Sequence, residues 1–171
     1  MNKQMIAGLM LAGTLIAAPA AKALPLIDIG IGAGPLTMED DDSAAIAGTV
    51  SVGVNIPVIP LMGVEGQLTQ TLSDGSFDGG GFGDTDYSGN QLGAFATLTT
   101  PTPGIKFKGK LGLVRSDFDF DSSFGSMSQS STDLAFGAAV LFGSWQVEWT
   151  RTKVDDDIEQ DIDFLSLSYV F

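Results

Sequence analysis

Asp161-Ile162-Asp163-Phe164-Leu165-Ser166-Leu167-Ser168-Tyr169-Val170-Phe171 decides the fold of this chain. Leu165, Leu167, Tyr169 and Phe171 fall on one face of an extended strand and Ser166 and Ser168 on the other, with Val170 out of pattern. Successive side chains of a strand point to opposite faces, so the stretch belongs to a sheet with one apolar and one largely polar side. It stops on an aromatic, where an end in water is expected to fray. In a closed membrane sheet the last strand pairs with the first, and its aromatics sit at the bilayer interface. That reading asks the rest of the chain for seven more strands.

The alternation supplies them. Ile27, Ile29 and Ile31 share one face of a first strand over about 24–34, which Gly34-Pro35 is expected to end. A second, about 44–54, sets Ile46, Val50, Val52 and Val54 against Ala45, Ala47, Thr49, Ser51 and Gly53. A third, about 61–72, sets Met62, Val64, Leu68 and Leu72 against Glu65, Gln67, Thr69 and Thr71. The fourth, about 87–99, carries Leu92, Ala94, Ala96 and Leu98 on one face, with Phe95 on the wrong side. In the fifth, about 104–116, Ile105, Phe107, Leu111 and Leu113 alternate with Lys106, Lys108 and Lys110. The sixth, about 132–142, points Leu134, Phe136, Ala138, Val140 and Phe142 outward, and the seventh, about 145–153, points Trp145, Val147 and Trp149 outward against Gln146, Glu148 and Thr150.

Connections alternate too. Those near 35–43, 73–86, 117–131 and 154–161 are long or acidic; those near 55–60, 100–104 and 143–144 are short. Phe118 and Phe120 alternate with Asp117 and Asp119, so the fifth strand is expected to run on into its loop with changed parity, through a bulge. Short turns on one side, long loops on the other and an even strand count are the marks of an eight-stranded antiparallel up-and-down transmembrane β-barrel. Sixteen of the 21 acidic residues fall in the four long connections. A soluble β-sandwich or lipocalin-like barrel, an exported ligand-binding protein, has the same alternation with its apolar face turned inward. Here the polar faces are mostly Ala, Gly, Ser and Thr, which suits a small packed interior better than a wetted surface.

The first residues read as an export signal. Lys3 begins it, Met5 to Ala18 is its apolar run, and Ala21-Lys22-Ala23 offers cleavage before Leu24, with Ala18-Pro19-Ala20 as a second possibility. The expected division is a signal peptide over 1–23 and a barrel domain over 24–171, in the cell outer membrane. A formal charge of −13 makes nucleic acid an unsuitable partner.

From Trp149-Thr150-Arg151, through an acidic loop, to Leu165-Ser166-Leu167-Ser168-Tyr169-Val170-Phe171, the chain resembles the small outer-membrane β-barrel proteins of Gram-negative bacteria, the OmpA/OmpX-like, opacity-protein and porin-like group. The resemblance extends as strand pattern over about 24–171. It implies that Leu165, Leu167, Tyr169 and Phe171 are the signal shown to the outer-membrane assembly machinery, and that lipid and lipopolysaccharide are partners. It implies no single activity, since members serve as anchors, adhesins, narrow channels or enzymes.

Chemistry is sparse. The chain has no His and no Cys, which removes the usual bases and thiolates, and no motif points to a catalytic, cofactor or metal site; no enzyme is expected. Asp28, Glu65, Lys106, Lys108, Lys110, Asp133 and Glu148 are expected inside the barrel, with Glu65 and Glu148 at the depth of Lys108. Buried charges must pair, so they form either a structural plug or the gate of a narrow passive channel. Phe107, Phe142, Trp145, Tyr169 and Phe171 are expected to form a girdle at the periplasmic interface. The acidic loops are exposed outside, where divalent cations could screen them, and Arg115, Arg151 and Lys153 lie near the outer strand ends, within reach of lipopolysaccharide phosphates.

Overall fold

The computed structural model describes residues 27–38, 41–56, 59, 61–78, 84–122, 125–154 and 161–171. The signal segment, the first residues of the expected first strand and the acidic residues 39–40 and 155–160 lie outside the described residues. Ten strands follow in order: β1 (Ile27–Met38), β2 (Asp41–Ser43), β3 (Ala45–Asn55), β4 (Met62–Thr71), β5 (Gly75–Asp78), β6 (Asp84–Thr99), β7 (Ile105–Ser122), β8 (Gly125–Phe142), β9 (Trp145–Lys153) and β10 (Ile162–Val170). Eight of them are barrel staves, in the order β6-β4-β3-β1-β10-β9-β8-β7 with β7 back on β6; β2 and β5 continue the sheet beyond β6. All pairings are antiparallel, and the last strand closes on the first, Gly30 opposite Val170 and Met38 opposite Ile162.

The outward faces are those expected. Leu92 and Leu98, Ile105, Phe107, Leu111 and Leu113, Leu134 and Phe142, Leu165 and Leu167 are all exposed, while Thr69, Thr97, Ser116, Thr150, Ser166 and Ser168 are buried. The apolar band stops at one level around the wall. Asn90, Arg115, Thr132, Arg151 and Asp163 follow Leu92, Leu113, Leu134, Trp149 and Leu165 as the next outward positions. On β7 the apolar outward residues run from Ile105 to Leu113; eight steps of ~3.3 Å tilted by ~40° give a height of roughly 20 Å, close to that of a hydrocarbon layer.

Four expectations change. The first strand does not end at Gly34-Pro35. Pro35 keeps its place opposite Ile46, and only the bridges to β10 between Ala33–Leu167 and Leu36–Phe164 are missing, as proline's lost N–H requires. Residues 73–86 are not simply a loop, because Gly75–Asp78 pairs with Asp84–Tyr87. Within 117–131, residues 117–122 continue β7 and 125–131 belong to β8, and the β7–β8 register never slips from Ile105–Phe142 to Ser122–Gly125. There is no bulge, and Phe118 and Phe120 keep the parity of Lys108 and Lys110, facing inward. Phe95 is no flaw in its strand. It is buried inside, beside Gly93 and opposite Gly112, where the space for Cβ atoms is taken by the Phe95 ring and the Ala94 carbonyl.

Candidate functional site

The lumen has two layers. Toward the short turns it is charged. Lys108 and Lys110 are two apart on β7, so both side chains enter the lumen. Glu148 is opposite Ala139, itself opposite Lys108, and Glu65 reaches across from β4. Lys108 Nζ lies 2.6 Å from Glu65 Oε2 and 3.4 Å from Glu148 Oε2; Lys110 Nζ lies 2.5 Å from Glu148 Oε1 and 3.8 Å from Glu65 Oε1. The four charges sum to zero. Lys110 also donates to Gln67 Oε1 at 2.7 Å and stands 4.2 Å over the Phe95 ring. Gln67 donates to Glu148 Oε1 and to Thr49, and Gln146 to Glu148 Oε2 at 2.8 Å. In a low dielectric each ion faces an opposite charge, and Lys110 and Glu148 are held by amide groups as well, whereas Glu65 Oε1 has only Lys110 at 3.8 Å and no hydrogen bond.

The outer layer is apolar. Leu36, Met38, Ala45, Ala47, Tyr87, Phe118, Ile162 and Phe164 pack together, with Phe120 and Val154 against them. Tyr87 is fully buried; its hydroxyl donates to the Leu36 carbonyl at 3.1 Å and accepts from the Ala45 N–H at 3.4 Å. Gly75 leaves the space its ring fills. Between the layers, a cavity of about 10 Å³ bordered by Gln67, Thr69, Gln91, Val114, Thr150 and Phe164 has room for one water molecule at most.

Of the seven expected interior charges, Glu65, Lys108, Lys110 and Glu148 come together. Asp133 is buried farther out, at the level of Val114. Asp28 and Lys106 are exposed at the short-turn rim, where Asn55 donates to Asp28 at 2.9 Å. The sequence reading missed the apolar layer, although the unbroken parity of Leu36–Met38 and Phe118–Phe120 carried the signal.

Two surfaces flank the lumen. At the short-turn end, Trp145 and Tyr169 meet edge to face at 5.3 Å between ring centroids, and Tyr169 and Phe171 at 4.9 Å. Phe107 and Phe142 are exposed on neighbouring strands. At the other end β6, β7 and β8 rise beyond the apolar band. Their outward face is ordered in rows: Asn90–Asp117–Ser130, Ser88–Asp119–Ser128 and Asp86–Asp121–Ser126. Ser130 donates to Asp117 Oδ1 at 2.5 Å and Ser128 to Asp119 Oδ1 at 2.6 Å. The Ser130 hydroxyl, and then Arg115 beside it, hold the Asp117 carboxyl below the usual carboxylate range. Arg115 is 3.4 Å from Asp117, and Arg151 is bidentate to Asp163 at 2.8 and 2.5 Å, so both guanidinium groups are engaged by carboxylates. Among the described residues no group of three or more acidic side chains is arranged to hold a metal ion.

The arrangement matches solved barrels. Ail, the attachment invasion locus protein of Yersinia pestis, solved with the heparin analogue sucrose octasulfate, is 22% identical; the match covers 85% of this chain and 97% of Ail with a TM-score of 0.57. Neisserial surface protein A is 13% identical over 84% of this chain and 95% of its own, with a TM-score of 0.65. At such identities the likeness is one of fold: an eight-stranded transmembrane barrel of the small outer-membrane kind. No protein-family model matches the chain, and no curated protein matches its sequence.

Proposed function

We propose that this chain is an integral outer-membrane barrel, non-catalytic and closed to solutes, that works as a structural and surface-contact protein. One observation carries the reading. The wall is apolar outside and charged inside, and the sheet β6–β7–β8 continues beyond the band with a polar outward face. Exposed leucine and phenylalanine around a whole barrel would cost a soluble protein its solubility, and lipid removes that cost. This argues against the soluble ligand-binding alternative. The two-layered lumen argues against the channel.

Under this reading Phe107, Phe142, Trp145, Tyr169 and Phe171 anchor the periplasmic interface. Leu165, Leu167, Tyr169 and Phe171 are what the assembly machinery meets. The raised sheet is the contact surface. Ail was solved with a polyanion, but Asp86, Asp117, Asp119 and Asp121 give the raised face here the opposite requirement. Its partner is cationic or a neutral hydrogen-bonding surface, and divalent cations screen it when no partner is bound. Lipopolysaccharide phosphates would have to displace Asp117 from Arg115 or Asp163 from Arg151, which leaves exposed Lys153 as the better contact.

Fractionation of the expressed chain, with gel mobility before and after boiling, tests the membrane reading. An outer-membrane species that shifts on boiling supports it; a species soluble in the periplasm without detergent overturns it. Planar bilayer recording then tests closure: no steady conductance is expected, and reproducible single-channel steps would restore the channel.

A further inference from the structure

Most inward glycines have an internal reason. A Cβ at Gly112 would overlap the Ala94 carbonyl, and one at Gly137 would lie 2.6 Å from the Trp149 carbonyl oxygen and 2.9 Å from the Lys110 chain. Gly109 has none. It faces outward midway along the apolar run Ile105–Leu113 of β7, its φ is not in the left-handed region, and a Cβ there would meet nothing within 4 Å. Glycine in a strand interior gives up side-chain packing and costs backbone entropy, so an unforced one marks a place where something outside approaches closely.

The surroundings agree. Leu98, Gly109, Ala138, Trp149 and Leu165 lie side by side across β6, β7, β8, β9 and β10 in one unbroken row. Gly109 and Ala138 form its low floor, between the bulk of Leu98 and Phe107 on one side and of Trp149 and Leu165 on the other. The result is an open groove of about 550 Å³. The floor spans the β7–β8 step of ~4.8 Å, and the row that carries it climbs obliquely up the tilted wall.

We propose that this groove seats a lipid acyl chain, held as a retained lipid rather than as passing solvent. The inference rests on the membrane reading above. The groove opens within the apolar band and is continuous with it, so the medium it faces is hydrocarbon. Its lining offers almost no polar surface, so shape alone selects the occupant. A furrow two small residues wide between bulky walls fits a flexible chain better than the flat face of another barrel. A second copy of this chain is the competing occupant, and the test separates the two.

The full chain would be reconstituted in phosphatidylethanolamine–phosphatidylglycerol bilayers, extracted in mild detergent and weighed by native mass spectrometry. Wild type is expected to keep one phospholipid per chain. Gly109→Leu and Ala138→Leu, which fill the groove from the open side, are expected to lower the retained fraction roughly tenfold, since two or more methylenes leave apolar contact. Both variants should keep the boiling-dependent mobility shift, which shows that they fold. Equal retention in wild type and variants would overturn the proposal. So would a wild-type dimer that Gly109→Leu converts to monomer, which would put a second copy in the groove. Bilayers of brominated phospholipid separate this failure from that of the membrane reading: if neither Trp145 nor Trp149 is quenched, the chain is not in the bilayer at all.

Discussion

Lys110 lies 2.5 Å from Glu148 and 2.7 Å from Gln67, all three buried. Replacing it by Met leaves Glu148 with Lys108 at 3.4 Å as its remaining cation. Removing one member of a buried pair typically costs about 3–5 kcal/mol, mostly through the charge left behind. Lys110→Met should therefore lower the denaturant midpoint of the detergent-folded protein, followed by tryptophan fluorescence, and adding Glu148→Gln should recover much of the loss. An unchanged midpoint in the single variant would mean that the four charges are hydrated. Tyr87→Phe removes the hydroxyl that serves Leu36 and Ala45; a loss of about 1–2 kcal/mol is expected in the same assay. Asp117 gives the one pH prediction. Its carboxyl is held below its ordinary value by Ser130 and Arg115, so the charged form is favoured when folded. That stabilisation is fully present above the ordinary value near ~3.9 and is lost as pH falls through the lowered one. NMR signals of Asp117 and Ser130 should hold steady from pH 7 to about 5 and move together only below ~3.9; Asp117→Asn should remove the movement.

At the scale of elements, glycines divide the strands into places that tolerate a side chain and places that do not. Gly137→Val puts a branched side chain into the Trp149 carbonyl and the stem of Lys110, so β8 can no longer lie flat against β9. It should abolish the folded, boiling-sensitive gel band. Gly66→Val, on the outward face with nothing within 4 Å, should leave the band intact. The β7–β8 hairpin is a second test. Among the described residues it pairs, beyond Leu113 and Leu134, only with itself and β6; its Phe118 faces inward into the apolar layer and its outward rows are polar. Cutting it back between Asp119 and Ser128 should preserve folding and remove surface contact. If folding fails instead, the hairpin is part of the barrel's nucleus rather than an appendage.

At the scale of the whole molecule, the barrel turns an ordinary protein inside out. Its apolar faces look outward, its ions look inward, and closure of β1 on β10 leaves the membrane portion without an unpaired edge. If, as proposed, the lumen is closed by ions at one level and by Tyr87, Phe118 and Phe164 at another, both layers must open before it conducts. Phe118→Ala with Phe164→Ala should still be silent in bilayers, whereas conductance from that double variant alone would show that the charged layer does not seal.

The sequence by itself determined the eight strands, which face of each looks out and the side on which the long connections lie; it offered seven interior charges, and only the tertiary structure decided that Glu65, Lys108, Lys110 and Glu148 are the four that meet. The strands, the faces and the candidate charges follow from a period of two and from the rule that buried charges must pair, and both are local or nearly so. The sequence reading went wrong where a residue's local habit is overruled by its neighbours across the sheet. Pro35 breaks strands in general, but here β3 holds the register and only one side of the ladder loses bridges. Phe118 and Phe120 looked as if they needed a bulge because an interior that was expected to be polar is apolar at its outer end, and Phe95 looked misplaced because a ring can also fill the charged level, packed with Val114 and Ala135 under Lys110. Which residues fill a lumen depends on what faces them from three or four other strands, and closure of the barrel is what brings those strands together. For the same reason only the tertiary structure could show that the outward Gly109 stands over open space while a Cβ at Gly112 would meet the Ala94 carbonyl.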